Sequence, residues 1–338
     1  NSIYIPANTK WTFTQAIGEA LVADLAPAYQ EDYSEAQAFV AGIVHGALPV
    51  DTIQAYHQQF SEKSLLKAEE IISPGSGWGA LEAARGGNVP ASMNFPASTM
   101  GDEQAPWLKL LNDGKMECTD PRTAPPSWMV DENFLPLLEA SLEREGGDHY
   151  LSRLHLGVML YELGRREEGA AQWEKSLELQ RSPFTLRNLA YDARMKGDLD
   201  RAVSLMEESV ALEGFAIDKV FSEEMMDLYL ATGQFEKAWN FYNSLPESFR
   251  SQDRLSMQAG VAAVELPEPD YAFVEELFTR DIACIREGDN TLTDLYSRLH
   301  VRKLLLDPDN KMTQAEAEAY VKENCKPPRW IDFRMVVK

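Results

Sequence analysis

Two carboxylates, Glu82 and Glu103, lie in a stretch that also holds Trp78, Trp107 and Trp128, three of the seven tryptophans of the chain. A pair of acids is what glycoside hydrolysis needs: one protonates the leaving oxygen while the other acts as base or nucleophile. The indole faces suit stacking on sugar rings, and Asp102, Gln104 and Arg122 offer hydrogen bonds to hydroxyls. The same residues also read without any chemistry, with the indoles as core staples and the acids on the surface, because large aromatics are usually mostly buried. Irregular segments on rigid scaffolds often carry function, so a binding role stands beside the structural one.

A second constellation is Arg187, Tyr191 and Arg194, two guanidiniums flanking a phenol in an otherwise acidic chain. Such a trio can hold a carboxylate or a peptide C-terminus through charge-assisted hydrogen bonds. A peptide-binding adaptor would use it from the concave groove of a helical stack, alongside Leu154, Val158 and Tyr161. Apolar groove residues want cover, and residues 1–145 of the chain itself are a competing occupant. The run Gly75-Ser76-Gly77-Trp78-Gly79 lacks the preceding strand and the Lys-Ser/Thr of a phosphate loop, and reads as a turn with a Trp anchor. His45, His57, His149, His155 and His300 form no metal-ligand spacing. The odd, scattered Cys118, Cys284 and Cys325 make no disulfide framework and fit a reducing, cytoplasmic setting. No cofactor or metal is expected.

These residues must be positioned by helices. The 338 residues, 44% hydrophobic and 25% charged, suffice for a sizeable core. A net charge of −22 repels a phosphate backbone and an anionic bilayer, so nucleic acid and membrane are poor partners. Residues 1–62 hold seven acids against one base, Lys10. No apolar run approaches the ~18 residues that cross a bilayer, and no secretory signal is visible.

Apolar spacing predicts helices over 11–25 and 34–47, and a third capped by Asp51. Residues 73–130 are rich in Gly, Pro and Trp. They read as ordered irregular chain with short helices at Gly79–Arg85 and Pro106–Leu111, since a long structureless loop is improbable in a compact domain. From Asp131 regular helices resume, and a repeat follows. LGRREEGAAQWEKSLEL (163–179) matches KGDLDRAVSLMEESVAL (196–212), and TGQFEKAWNFYNSL (232–245) is a third copy. The turn glycines Gly164, Gly197 and Gly233 recur at intervals of 33 and 36 residues. Small residues at Gly157/Ala190 and Gly169/Ala202/Ala238 would let paired helices approach, and bulky Trp173, Met206 and Tyr242 would fill the space between hairpins. Such hairpins cannot bury their apolar faces alone and stack. Further helices are expected near 253–264, 270–286, 291–306 and 313–323, with an apolar-anchored tail over 326–336.

Over 149–245 the pattern resembles the tetratricopeptide repeat, with Gly169 where alanine is usual. GSGWGALE (75–82), MGDEQAPWLKLLNDG (100–114), PPSW (125–128) and IDFRM (331–335) extend the resemblance. They are similar to the helical region of bacterial multidomain proteins that also carry a galactose-mutarotase-like β-sandwich of uncharacterised function. The resemblance implies an all-α superhelix of helical hairpins with an N-terminal helical and irregular Trp-rich segment (1–130), hairpins (131–245) and degenerate repeats with a cap (246–338). It implies an interaction scaffold that docks a protein partner or a carbohydrate-active companion domain. A glycoside-acting protein using the 75–128 segment and a peptide adaptor are the alternatives.

Overall fold

The computed structural model describes residues 75–87, 89, 94–280, 282 and 288–334. The helices expected before residue 74, together with Cys284, His45 and His57, lie outside the described residues. Among the described residues the protein is all-α, with no strand. No helix among them is long and apolar enough to cross a membrane. The chain divides into two units between Arg181 and Ser182.

The first unit contains α1 (Ser76–Ala84), α2 (Ala105–Asp113), α3 (Leu135–Leu142), α4 (Tyr150–Glu162) and α5 (Arg166–Leu179), with 3-10 turns at Ala97–Thr99 and Glu132–Phe134. The two short helices expected in the Gly/Pro/Trp-rich stretch are α1 and α2. Pro106 sits in the first turn of α2, where its missing N–H costs nothing. Asp131 caps the second 3-10 turn by accepting from the Asn133 N–H at 2.9 Å. Leu81, Trp107, Leu110, Phe134, Leu138 and Met159 share one core, so the irregular chain is held by the same apolar cluster as α3 and α4.

The second unit runs through α6 (Pro183–Met195), α7 (Leu199–Val210), α8 (Lys219–Ala231), α9 (Phe235–Ser244), the single turn α10 (Glu247–Arg250), α11 (Asp253–Glu265), α12 (Tyr271–Leu277), α13 (Thr291–Leu306) and α14 (Gln314–Asn324). Val264, Val274, Leu277, Leu295, Leu299 and Ile331 form its distal core. Ile331 anchors the tail, and Trp330 lies exposed while its Nε1 donates to the Phe278 carbonyl at 2.9 Å.

Three hairpins, α4/α5, α6/α7 and α8/α9, turn in the same way. Gly164, Gly197 and Gly233 have φ of 84°, 81° and 68°, which side chains rarely adopt. Each glycine N–H bonds a carbonyl three residues back, and the next N–H reaches five back: Arg165 to Leu160 at 2.8 Å, Asp198 to Ala193 at 2.9 Å and Gln234 to Tyr229 at 2.8 Å. These are three Schellman motifs, each satisfying carbonyls that a helix end leaves open. A second recurrence was not evident from the sequence pattern. Ser176 Oγ donates to the Tyr150 carbonyl at 2.8 Å, and Ser209 Oγ donates to the Pro183 carbonyl at 2.9 Å. Donors and acceptors are both displaced by the repeat interval, so each serine latches the end of the second helix to the start of the first. The third hairpin has Leu245 at this position. The longer second interval is taken up between α7 and α8, where Phe215 packs on Phe184 at 5.8 Å and on Phe221 at 4.9 Å.

One expectation gains detail and another changes. Trp173 is held by residues of its own hairpin. Its ring lies inside its own hairpin, over Gly157, stacked on Tyr161 at 5.0 Å with Nε1 donating to the Leu154 carbonyl at 3.1 Å. The absent Gly157 side chain makes the slot that the indole occupies. The helix expected over 270–286 ends at Leu277, because Phe278 and Thr279 bond carbonyls three rather than four residues back, and the Thr279 hydroxyl takes the Glu276 carbonyl at 2.7 Å.

In Gly157→Ala the new methyl would meet the Trp173 ring, and the Gly169 carbonyl at 2.9 Å. On an exposed helix this change stabilises. Here chemical denaturation should show a loss of about 1–3 kcal/mol, and a neutral or stabilising result would mean that the two helices can part freely.

Candidate functional site

α1 and α2 carry most of the acid–indole constellation, and the structure gives its members different surroundings. Glu82 is buried, and the Arg85 guanidinium, one turn away, holds both of its oxygens, Nε to Oε2 at 2.9 Å. Gly87 lies directly over that carboxylate, where a side chain would collide with it. Glu103 is exposed at its side chain, and its backbone carbonyl accepts from the Ser127 hydroxyl at 2.5 Å. Gln104 is buried, its Oε1 accepting from the Gly101 N–H at 3.0 Å while resting against Gly77 of α1. Trp107 is wholly enclosed and donates from Nε1 to Ser127 Oγ at 2.8 Å. Trp78 packs half-buried on the same core. Trp128 is 40% exposed. Arg122 is paired with Asp120 at 2.6 Å, which lowers the Asp120 carboxyl to about 2.

Trp107, Ser127 and the Glu103 backbone thus form one linked unit that staples the irregular segment. At its centre is a residue that the sequence pattern offered only among histidines without metal-ligand spacing. His155 of α4 lies edge-on to Trp107 at 4.9 Å and beneath Trp128 at 5.2 Å. It is buried, with Nδ1 lacking a partner. Burial, helped by the nearby His149 charge, pushes its pKa down to about 3. The available signal was its position on the apolar face of α4, one residue from Leu154 and Leu156.

The second constellation lies on the first helices of the second unit. Arg187 is not open to a ligand carboxylate: its Nε and NH2 grip both oxygens of Glu224 on α8, at 2.6 and 2.5 Å, and its guanidinium lies 5.2 Å over the Phe221 ring. Glu224 raises the Arg187 pKa despite burial, as a bidentate pair does. The pair laces α6 to α8. One step further, Gln258 of α11 donates to the Glu223 carbonyl at 3.1 Å and to Asp227 Oδ1 at 2.6 Å. Arg254 lies 3.7 and 3.8 Å from the carboxylates of Glu223 and Asp227. Beside this lacing α6 presents Tyr191 and Met195, each 52% exposed, with Arg194 exposed between them. Val220 of α8 is 47% exposed. Met195 was missed in the sequence, although it stands four residues after Tyr191 on one helix face.

Among the described residues no group of three His, Cys, Asp or Glu side chains could hold a metal ion. Cys118 and Cys325 are free thiols, and burial raises the Cys118 pKa. No protein-family model matches the chain, and no curated protein matches its sequence.

His155 has a stability consequence of definite sign. Folding depresses its pKa from 6.5 to about 3, so below pH 6.5 the unfolded chain takes up a proton that the folded chain refuses. The stability is fully present above 6.5 and is lost as the pH falls toward about 3. Unfolding midpoints of wild type and His155→Gln, followed from about pH 7.5 to about pH 4, should converge as the pH falls. A gap that stays constant would remove His155 as a cause of acid sensitivity.

Proposed function

We propose that the chain is an interaction scaffold of tetratricopeptide type, and that the second unit binds a polypeptide segment along its first helices. The repeat intervals and the three identical turns support the repeat assignment. The observation that carries the binding site is the pair Tyr191 and Met195, two large apolar side chains each 52% exposed on one face of α6. Exposed apolar side chains grouped on one helix face suit an interaction surface. The Arg187–Glu224 pair fixes α6 to α8, and Gln258–Asp227 fixes α8 to α11, so the surface is preorganised and little ordering is needed on binding. Arg194 then selects an acidic side chain or a terminal carboxylate next to an apolar anchor.

A second reading concerns the first unit. Trp128 and Val130 are 40% and 50% exposed in the stretch that carries the wider family resemblance, which supports docking of a carbohydrate-active companion domain there. The acid–base reading has less support, since Glu82 is held by Arg85 and Trp107 offers no open face.

The test is selection of peptides from a displayed random library on the full chain, followed by affinity measurement on the peptides recovered. Tyr191→Ser with Met195→Ser should weaken binding at least ~10-fold and leave the unfolding midpoint unchanged. If no peptide is enriched, or if the double variant binds as wild type does, the α6 surface is not the binding site.

A further inference from the structure

The C-terminal part of the second unit encloses a cleft of about 860 Å³ between α13, α14 and the segment that follows α14. Its lining charge is opposite to that of the chain. Arg298, Arg302, Lys322, Lys326 and Arg334 face it, against Glu265, Glu318 and Asp332: five cations and three anions, a balance of +2 in a protein of net charge −22.

The acids are already engaged. Glu265 accepts from Arg298 at 3.1 Å, Asp332 holds Arg334 through two bonds of 2.7 Å, and Glu318 accepts from Gln314 at 2.7 Å. Three cations are left over. Lys322 and Lys326 are exposed and, among the described residues, form no ion pair. Arg302 spends one NH2 on the Leu266 carbonyl at 3.2 Å, and its Nε is buried without a partner. Leu305, partly buried, and the edge of Val301 supply an apolar wall beside these charges.

We propose that this cleft binds a phosphate monoester of a small apolar alcohol. The phosphate lies between Arg302, Lys322 and Lys326, and the carbon body lies on Val301 and Leu305. A phosphate monoester carries close to two negative charges at neutral pH and several acceptor oxygens. It therefore matches the lining balance. A neutral alcohol leaves the charges unmet, and inorganic phosphate leaves the apolar wall uncovered.

Phenyl phosphate, inorganic phosphate and benzyl alcohol, titrated calorimetrically into the 338-residue chain at low ionic strength, test the assignment. Phenyl phosphate should bind saturably with one site per chain, at least ~10-fold more tightly than inorganic phosphate, and benzyl alcohol should give no saturable heat. Lys322→Gln with Lys326→Gln should weaken phenyl phosphate at least ~10-fold at an unchanged melting temperature, since both side chains are exposed. Lys109→Gln, in the first unit, should bind as wild type does. The proposal is overturned if phenyl phosphate gives no saturable binding or if the lysine double variant binds it unchanged. It is also overturned if inorganic phosphate binds as tightly, which would strip the apolar wall of a role.

Discussion

Backbone-to-backbone approach at one point in the α4/α5 hairpin governs much of what surrounds it. Gly157 and Gly169 face each other so closely that a Cβ on either would meet the carbonyl of the other, at 2.9 and 2.7 Å. The approach opens a slot for Trp173, and the slot fixes the indole where its Nε1 reaches the Leu154 carbonyl and its face stacks on Tyr161. In α6/α7, Ala190 and Ala202 take the two positions, and Met206 replaces the indole, all buried. The geometry tolerates alanine where the filler is a flexible thioether and requires glycine where it is a rigid bicyclic ring.

Features that depend on neighbours a few residues apart were legible in the sequence. Turn glycines, the all-α class and most helix limits follow from spacing and end signals, which are local physics. The end of α12 was not legible, because the apolar period continues past Leu277 while the carbonyls it needs are taken by shorter bonds. Long-range partners were hidden as well. Glu224 stands 37 residues from Arg187, and Ser127 stands 20 from Trp107, with no period to join them. The Glu82–Arg85 pair is the exception, since its three-residue spacing on one helix was there to be read.

The same distinction applies to the candidate sites. Residue type alone made Trp107 a sugar platform and Arg187 a carboxylate clamp, and both side chains are occupied within the fold. Among the side chains the fold leaves on the surface are Tyr191, Arg194 and Met195 on α6, and Asp102, Glu103, Arg122 and Trp128 in the first unit. Charge behaves similarly. Net charge describes the whole surface, whereas recognition answers to the local balance, and the cleft by α13 and α14 is positive in an acidic chain.

The serine latches bear on how the chain folds. Ser176 to Tyr150 and Ser209 to Pro183 each close a loop of 26 residues, and every turn bond spans five or fewer. The α4/α5 and α6/α7 hairpins therefore complete turn and latch, and α8/α9 its turn, without waiting for distant chain to arrive. Contacts of such short sequence separation carry a small loop-closure entropy and favour rapid folding. They also let a hairpin open and reclose as a cooperative unit, so amide exchange should group by hairpin rather than by single helix.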